Sequence, residues 1–181
     1  MKQLILIRHC QAEGQHMDSP LTQHGVNQAH RLALFLEDND CKVNRIISSP
    51  FMRAIETIKP YAAAQHIPIE QDVRLEERVL SNEPIDDWLD ILELSFQDLD
   101  FSLSGGESSN DALKRGLSVI DECLQDQTND CVAIVTHGNL LSIILAHYLK
   151  DFGFEDWKTL TTPDVYALEF KDETCQVRHI W

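Results

Sequence analysis

The chain has 181 residues, of which 43% are hydrophobic and 25% are charged, a composition typical of a globular protein with a buried core. Its formal net charge of −15 disfavours nucleic acids and anionic membranes as partners. No run approaches about 20 apolar residues, so we expect no membrane-spanning helix.

The N-terminal part of the chain predicts a strand, a loop and a helix. Residues 1–7 form a continuous apolar, β-prone run, which predicts a buried parallel strand. This run meets Arg8 and His9 too early to be a signal peptide, so we expect a cytoplasmic protein. The polar residues 11–20 predict a loop, after which Thr22 caps a helix. The inward face of that helix is predicted to hold Val26, Ala29, Leu32, Ala33 and Leu36.

The next segment predicts two strands that flank a helix. Residues 44–48 indicate a short strand. Ser49 and Pro50 then match the N-cap and first position of a helix, which we expect to reach about Gln65. Residues 67–73 predict a further strand.

From Leu75 to Phe101 the sequence becomes acidic and interrupts the alternation of strands and helices. We interpret this segment as an insertion with a short helix that serves as a lid. Because Gly105 and Gly106 end it, we place the insertion at about residues 78–106 of a single domain that spans residues 1–181. Its apolar residues are Trp88, Leu89, Ile91, Leu92, Leu94 and Phe96.

The C-terminal part returns to regular alternation. Apolar residues at helical spacing predict a helix over 113–124, and residues 131–136 predict a buried strand. Residues 139–150 form a strongly apolar helix pattern, and two closing strands are indicated at 165–170 and 175–180. Strands and helices that alternate in this way predict an α/β sandwich.

The cysteines give no sign of a disulfide framework or a metal site. Their number is odd, and no CxxC or paired Cys/His spacing occurs. We therefore predict free thiols and no metal or organic cofactor. The five residues are Cys10, Cys41, Cys123, Cys131 and Cys175.

Several catalytic classes are excluded by motif. The chain has no GxxxxGK[ST], GxSxG or HExxH sequence. A cysteine phosphatase needs an arginine six positions after its cysteine, and none is present there. The residues at those positions are His16, Ile47, Asn129, His137 and Trp181.

Two predicted strands each end in a histidine, as Arg8-His9 and as His137-Gly138. Ligands of open α/β sheets bind at the carboxyl ends of strands, so these side chains are candidates for one site. We expect Arg53 and the acidic residues at 76–77 at the same edge. The helix that begins near Asn139 would direct its free N–H groups there, and such groups bind anions.

These residues resemble the signature of the histidine phosphatase superfamily, branch 1, also called the phosphoglycerate mutase-like family. The resemblance covers residues 4 to about 145. Its matching segments are Leu4-Ile5-Leu6-Ile7-Arg8-His9, Ser19-Pro20-Leu21-Thr22 with Gly25 and Gln28-Ala29, Ser48-Ser49-Pro50 with Arg53-Ala54 and Thr57, Leu75 with Glu77, Gly105-Gly106-Glu107-Ser108, and Val135-Thr136-His137-Gly138. It implies a three-layer α/β/α sandwich around a mostly parallel sheet with an antiparallel edge.

The resemblance also implies roles for these residues. His9 would be the nucleophile that forms a phosphohistidine, and Arg8, Arg53 and His137 would hold the phosphoryl oxygens. Glu77 would protonate the leaving oxygen and then activate water. Glu76 is the fallback for that acid, and Glu13 and Glu107 are more distant candidates. Gln15 and Gly138 complete the predicted phosphate-binding set.

Departures from the family pattern favour a phosphatase over a mutase. Cys10 replaces the usual glycine after the nucleophile, where we expect it to crowd the pocket and make it redox-sensitive. The first loop is short, with Gln15 where an asparagine is usual. The segment after the acid is acidic, so it would repel a second phosphate; it includes Glu83, Asp86, Asp87 and Asp90.

The sequence thus predicts a phosphoric monoester hydrolase of the histidine acid phosphatase type. It would hydrolyse a small phosphorylated metabolite and release inorganic phosphate. A phosphoglycerate mutase, a phosphohistidine or phosphoprotein phosphatase, and a non-catalytic phosphate-binding module remain the alternatives.

Overall fold

A computed structural model describes residues 2–38, 42–172 and 174–181. Its centre is a six-stranded sheet in the order β3-β2-β4-β1-β5-β6. β1, β2, β3 and β4 run parallel, whereas β5 and β6 are antiparallel at one edge. The predicted mostly parallel sheet with an antiparallel edge is therefore confirmed. The strands are β1 (Lys2–Arg8), β2 (Arg45–Ser48), β3 (Ile69–Gln71), β4 (Cys131–Thr136), β5 (Asp164–Lys171) and β6 (Thr174–His179).

Helices cover both faces of the sheet and give the predicted three layers. Side chains of β1 point alternately to the two faces, so Leu4 and Leu6 pack in one core cluster while Ile5 and Ile7 pack in the other. α4 and α5 cover the first cluster, and α1 and α2 cover the second. The helices are α1 (Gln23–Asp38), α2 (Met52–Gln65), α3 (Trp88–Gln97), α4 (Ser109–Gln125), α5 (Gly138–Tyr148) and α6 (Phe154–Thr159).

The start of α1 follows the sequence prediction, but its buried face differs at one position. The Thr22 hydroxyl accepts a hydrogen bond from the Gly25 N–H at 2.9 Å, as expected of an N-cap. Val26 is 37% exposed, so its predicted inward position is wrong. The buried stripe passes through Gly25 instead, where a Cβ would lie 2.0 Å from the Gln11 carbonyl oxygen. Only glycine permits this approach of helix and loop.

Two predicted elements differ in their bounds. α2 begins at Met52 with Phe51 as its N-cap residue, two positions later than the Ser49-Pro50 signal indicates. β3 is short and ends before a 3₁₀ turn (Val73–Leu75), in which the Asp72 carboxylate accepts from the Arg74 N–H. This turn redirects the chain towards the carboxyl edge of the sheet.

The predicted insertion contains the short helix α3, and α6 is an element that the sequence pattern did not indicate. α6 has six residues, which are too few to show helical periodicity, and it precedes the antiparallel strand β5. Gly105 has φ of 71°, a left-handed conformation that favours glycine, at the end of the segment we interpret as a lid.

Cys10, Cys123 and Cys175 carry free thiols, as predicted. Cys131 is disulfide-bonded, so the prediction of a free thiol is wrong for this residue. Spacing along the chain cannot reveal which residues meet in space. The prediction for Cys41 lies outside the described residues. In the part of the chain that the structure covers, every helix is too short or too polar to cross a membrane.

Candidate active site

His9 lies directly after β1, where its N–H donates to the carbonyl of Thr136 on the neighbouring strand β4. Its side chain is 8% exposed, and Nδ1 lies 2.7 Å from the Cys10 carbonyl oxygen. Because a carbonyl oxygen only accepts hydrogen bonds, Nδ1 carries the proton and Nε2 carries the lone pair. Burial is the main cause that lowers the pKa of His9 to about 4, and the charges of Arg53 and Arg8 lower it further. The ring is thus a neutral imidazole at neutral pH.

Arg53 occupies the first turn of α2 and is 1% exposed. Its Nε donates to His9 Nε2 at 3.2 Å, and one terminal nitrogen donates to the carbonyls of Gln15 and His16 at 3.1 and 2.9 Å. Burial lowers the pKa of this guanidinium, whereas the Glu77 carboxylate raises it. The bonds to the two loop carbonyls and the bond to His9 together hold the Arg53 guanidinium beside the Nε2 lone pair of His9.

Arg8 approaches the same place from the last position of β1. One terminal nitrogen donates to the carbonyl oxygens of Leu160 and Thr161 at 2.9 and 3.2 Å, while its buried Nε has no hydrogen-bond partner. The guanidinium lies against Gly138, where a Cβ would come within 2.9 Å of the Arg8 Nε. Glycine at this position therefore lets the arginine cross the start of α5.

His137 follows β4 and is fully buried, with its ring centroid 5.1 Å from that of His9. Its Nε2 lies 2.8 Å from the Ser49 hydroxyl, and its Nδ1 is buried without a partner. When the Ser49 hydroxyl donates to Nε2, Nδ1 bears the proton and is free to donate. Burial, followed by the nearby His9 and Arg53, lowers the pKa of His137 well below its ordinary value.

Glu77 reaches the site from the loop after the 3₁₀ turn, where its carboxylate caps α5. One oxygen accepts from the backbone N–H groups of Arg78 and Leu140 at 2.9 and 3.0 Å, and the other accepts from Asn139 at 3.1 Å. The expectation that the N–H groups at the start of α5 face a substrate anion is thus wrong for Asn139 and Leu140. The carboxyl group of Glu77 occupies this position instead, where its oxygens accept from three backbone N–H groups.

Arg8, Arg53 and Glu77 line two cavities that share several residues. One, of about 470 Å³, is bounded by Arg8, Glu77 and Gly138. The other, of about 630 Å³, is bounded by Arg53 and again by Glu77. Both volumes are within the range of small-molecule sites. The residues common to both are Gln15, Glu77, Arg78, Leu80 and Trp88.

The structure thus brings together the set that the sequence predicted. Arg8, Gln15, Arg53, Glu77 and Gly138 line the cavities, and His9, which is in ring contact with His137, accepts from Arg53. The other candidates for the catalytic acid do not line the cavities. Glu76 and Glu13 are absent from both linings, and Glu107 is paired with Arg115 through two contacts of 2.7 and 2.9 Å.

Cys10 does not take the position that we expected for it. It is fully buried in a small cluster with Leu21 and Ala29 on the α1 side, and it lines neither cavity. Its backbone N–H donates to the Thr57 hydroxyl at 2.8 Å. Burial raises the pKa of the thiol to about 11, so it is protonated and inert at neutral pH. The geometry therefore contradicts both pocket crowding and ready oxidation.

Sequence reasoning missed three residues of this region. Ser49 was interpreted as a helix cap, but its hydroxyl contacts His137. Arg78 is 5% exposed, lines both cavities, and had no separate signal in an acidic segment. Trp157 reaches the smaller cavity from α6, which itself was not predicted. For Arg78 the sequence offers one signal. It directly follows the proposed catalytic acid Glu77, and an arginine in that position is a candidate for substrate binding.

Across residues 2–38, 42–172 and 174–181, no three His, Cys, Asp or Glu side chains gather in a way that could hold a metal ion. The absence of a metal or cofactor from the reaction stays a prediction.

Comparison with known proteins identifies the family. Residues 4–181 match the histidine phosphatase superfamily (branch 1), and the chain belongs to this superfamily. A probable phosphoglycerate mutase GpmB of Yersinia pestis is 31% identical over 165 residues, which cover 82% of this chain and 75% of that protein. The resemblance found in the sequence is therefore confirmed.

Solved structures show the same fold. YhfR of Bacillus stearothermophilus is 26% identical and superposes with a TM-score of 0.80, over 99% of this chain and 96% of that one. A mycobacterial glucosyl-3-phosphoglycerate phosphatase in complex with inorganic phosphate is 23% identical, with a TM-score of 0.76 over 100% and 96% of the two chains. At this level of identity the second likeness speaks for the fold alone.

Proposed function

We propose that the protein is a phosphomonoesterase that hydrolyses a small phosphorylated metabolite through a phosphohistidine on His9. The observation that carries this proposal is the fixed tautomer of His9. Its Nδ1–H donates to the Cys10 carbonyl, which leaves the Nε2 lone pair facing Arg53, a residue that lines the larger cavity. A neutral imidazole with this lone pair is a competent nucleophile towards phosphorus.

Phosphoryl transfer needs donors for the three non-bridging oxygens, and the site provides them. The Arg8 Nε and the His137 Nδ1 are buried polar atoms without partners, although buried donors are rarely left unpaired. Arg53 can exchange its bond to His9 for one to a phosphoryl oxygen. Charge that spreads over these oxygens in the transition state is then met by two guanidinium groups in a largely buried site.

The proposed reaction has two steps. In the first, His9 Nε2 forms a bond to phosphorus while the ester P–O bond breaks, and Glu77 gives its proton to the leaving oxygen. In the second, Glu77 takes a proton from water, whose oxygen attacks phosphorus while the P–N bond breaks. Inorganic phosphate leaves and His9 returns to its neutral form, so one phosphoric monoester is hydrolysed per cycle.

We further propose that residues 1–181 act as one domain in which residues 78–106 form a lid. This segment contributes Leu80 and Trp88 to both cavities, and Val79 and Glu83 to the larger one. The lid is the part of the chain that would contact the leaving group, and so it would set the choice of metabolite.

The decisive experiment traps the intermediate. Purified protein is mixed with 4-nitrophenyl phosphate, quenched in alkali, which preserves phosphohistidine, and analysed by peptide mass spectrometry. We expect phosphate on His9, and we expect His9→Asn to lower kcat/KM by at least about a thousandfold. His30→Asn is the matched control, since His30 lies on the exposed side of α1. Full activity of His9→Asn, or phosphate on a different residue, would refute the proposal.

A phosphoglycerate mutase is the second candidate, because the curated relative in Yersinia pestis bears that name. A mutase would interconvert phosphoglycerates in the presence of a bisphosphorylated primer. We expect release of inorganic phosphate instead, since Glu83 lies at the larger cavity and would repel a second phosphate. Product analysis with 3-phosphoglycerate and primer distinguishes the two reactions.

A further inference from the structure

The smaller cavity is lined by two chemically different sets of residues. Arg8 and Gly138, which belong to the proposed phosphate-binding set, form the first. Trp88 and Trp157, which belong to the proposed lid and to α6, form the second. A substrate whose phosphate is held by Arg8 would therefore place its leaving group near two indole rings. The volume of about 470 Å³ is sufficient for a leaving group of nucleoside size.

The two indoles meet edge to face and form a corner, in which Trp88 is 46% exposed. Their ring centroids are 6.2 Å apart, and the ring planes meet at 83°. Trp157 is held by a stacked contact with Phe154, at 5.6 Å and 11°. Leu80 and Leu92 add apolar surface to the same wall. A flat ring fits such a corner well, because it can stack on one indole while its edge meets the other.

Arg78 offers little hydrogen-bonding capacity to a second anionic group. Among the described residues that line the two cavities, Arg78 is the third cation, after Arg8 and Arg53. Its guanidinium has five N–H donors. Four of them are engaged, two with the Ser95 and Ser109 hydroxyls and two with the Glu107 carbonyl.

Acidic side chains surround Trp88 in sequence, which adds to this effect. Glu83 lines the larger cavity, and Asp86, Asp87 and Asp90 flank the tryptophan. A carboxylate or phosphate on the leaving group would gain few hydrogen bonds from Arg78, which has one N–H left.

Given the phosphatase activity proposed above, on which this inference rests, we propose that the preferred substrates are phosphate monoesters of alcohols that carry an uncharged, flat aromatic or heterocyclic group. Phosphorylated sugar acids would be poor substrates. The indoles of Trp88 and Trp157 act as specificity determinants, and they have no part in the bond-breaking steps.

The test uses two substrates with the same scissile bond. Adenosine 5′-monophosphate and ribose 5-phosphate are both esters of a primary ribose hydroxyl, but only the first carries a flat ring. We expect kcat/KM to be at least about tenfold higher for adenosine 5′-monophosphate, in line with the gain usual for a base stacked on an aromatic side chain. For 3-phosphoglycerate we expect the lowest value of the three.

Substitutions then test whether the indole of Trp157 causes the preference for the aromatic substrate. Trp157→Leu should lower the ratio of the two kcat/KM values about tenfold. The ratio is independent of the fraction of correctly folded enzyme, so a structural defect would not change it. Trp181→Leu is the matched control. Trp181 packs edge-on against Phe35, with ring centroids 5.1 Å apart, on the α1 side of the sheet, and should keep the wild-type ratio.

The outcomes separate the inference from the proposed function. If ribose 5-phosphate or 3-phosphoglycerate is hydrolysed as well as adenosine 5′-monophosphate, the enzyme is a phosphatase and the aromatic preference is wrong. The same holds if Trp157→Leu lowers both kcat/KM values equally. Failure to release phosphate from any of the three substrates and from 4-nitrophenyl phosphate would overturn both the aromatic preference and the proposed phosphatase activity.

Discussion

The edge of the sheet and the lid are built in different ways. His9, Arg53 and His137 are 8%, 1% and 0% exposed, and each follows or adjoins a buried element. In α3 of the lid only Leu92 and Ser95 are buried. The residues that would perform the chemistry are therefore fixed by the core, whereas Trp88, one of the two residues that would select the substrate, lies on a segment with few buried contacts.

The lid is attached through a small number of polar anchors. Arg78 connects α3, α4 and the Glu107 carbonyl, and Arg115 pairs with the Glu107 carboxylate while it donates to the Glu76 carbonyl. Segments with few apolar contacts open at a lower free energy than the core does. With the proposed roles, the choice of leaving group would vary without a change at the nucleophile, and the predictions below test this separation.

Among substitutions that test this separation, the largest effect is expected at Glu77, where the two regions meet. Glu77→Gln removes the proposed proton donor and should lower kcat/KM for an alkyl phosphate by about 10²–10⁴-fold. For 4-nitrophenyl phosphate, whose leaving group needs little protonation, the loss should be much smaller. Steady-state kinetics with both substrates measures the difference.

Glu76→Gln is the matched control, because its side chain lines neither cavity. We expect its kcat/KM to stay near the wild-type value. If Glu76→Gln instead shows the larger loss, the adjacent carboxylate is the acid and the assignment to Glu77 is wrong.

Arg53→Lys is expected to have the next largest effect. Lysine keeps the charge but cannot donate to a phosphoryl oxygen and to the loop carbonyls of Gln15 and His16 at once. Loss of one charge-assisted hydrogen bond of about 1.5–3 kcal/mol should lower kcat/KM by about 10–10²-fold. The measurement is kinetic, with thermal unfolding as a check on the fold. Wild-type kcat/KM in this variant would exclude Arg53 from transition-state binding.

The burial of His9 at the sheet edge should also make the free energy of unfolding depend on pH. Burial lowers the pKa of folded His9 to about 4, below its unfolded value of 6.5. Between these two values the unfolded chain binds more protons than the folded protein, so stability falls as pH decreases. From pH 7 to pH 5, His9 alone should cost about 2 kcal/mol of unfolding free energy.

Urea unfolding of wild type and His9→Asn across this pH range measures this cost. The variant should lose less stability than wild type on acidification, and His30→Asn should behave like wild type. Parallel stability curves for wild type and His9→Asn would show that His9 is not buried as a neutral ring.

The smallest effect is expected from the lid anchor. Arg78→Met removes four hydrogen bonds from the lid and leaves the nucleophile in place. We expect backbone hydrogen exchange to increase in residues 78–106 and kcat/KM to fall about tenfold, mainly through KM. Unchanged exchange in the lid would show that apolar packing, rather than Arg78, holds it.

The sequence by itself determined the sheet, the helices on its two faces and the principal members of the candidate site. β4 has the predicted bounds, Cys131–Thr136. Because this run is buried on both faces, no exposed polar position within it makes its ends ambiguous. Arg8, His9, Arg53, His137 and the acidic residues at 76–77 were expected at one edge because strands that run parallel bring their carboxyl ends there, and the family resemblance selected Glu77.

Only the tertiary structure decided how side chains from distant segments pair. It placed the Glu77 carboxylate on the N–H groups of α5, joined Ser49 to His137, buried Cys10 away from the cavities, and brought Trp157 opposite Trp88. The physical reason is that periodicity along the chain records which face of an element is buried. The partner met on that face depends on how loops cross in space, and a short element such as α6 leaves no periodic trace.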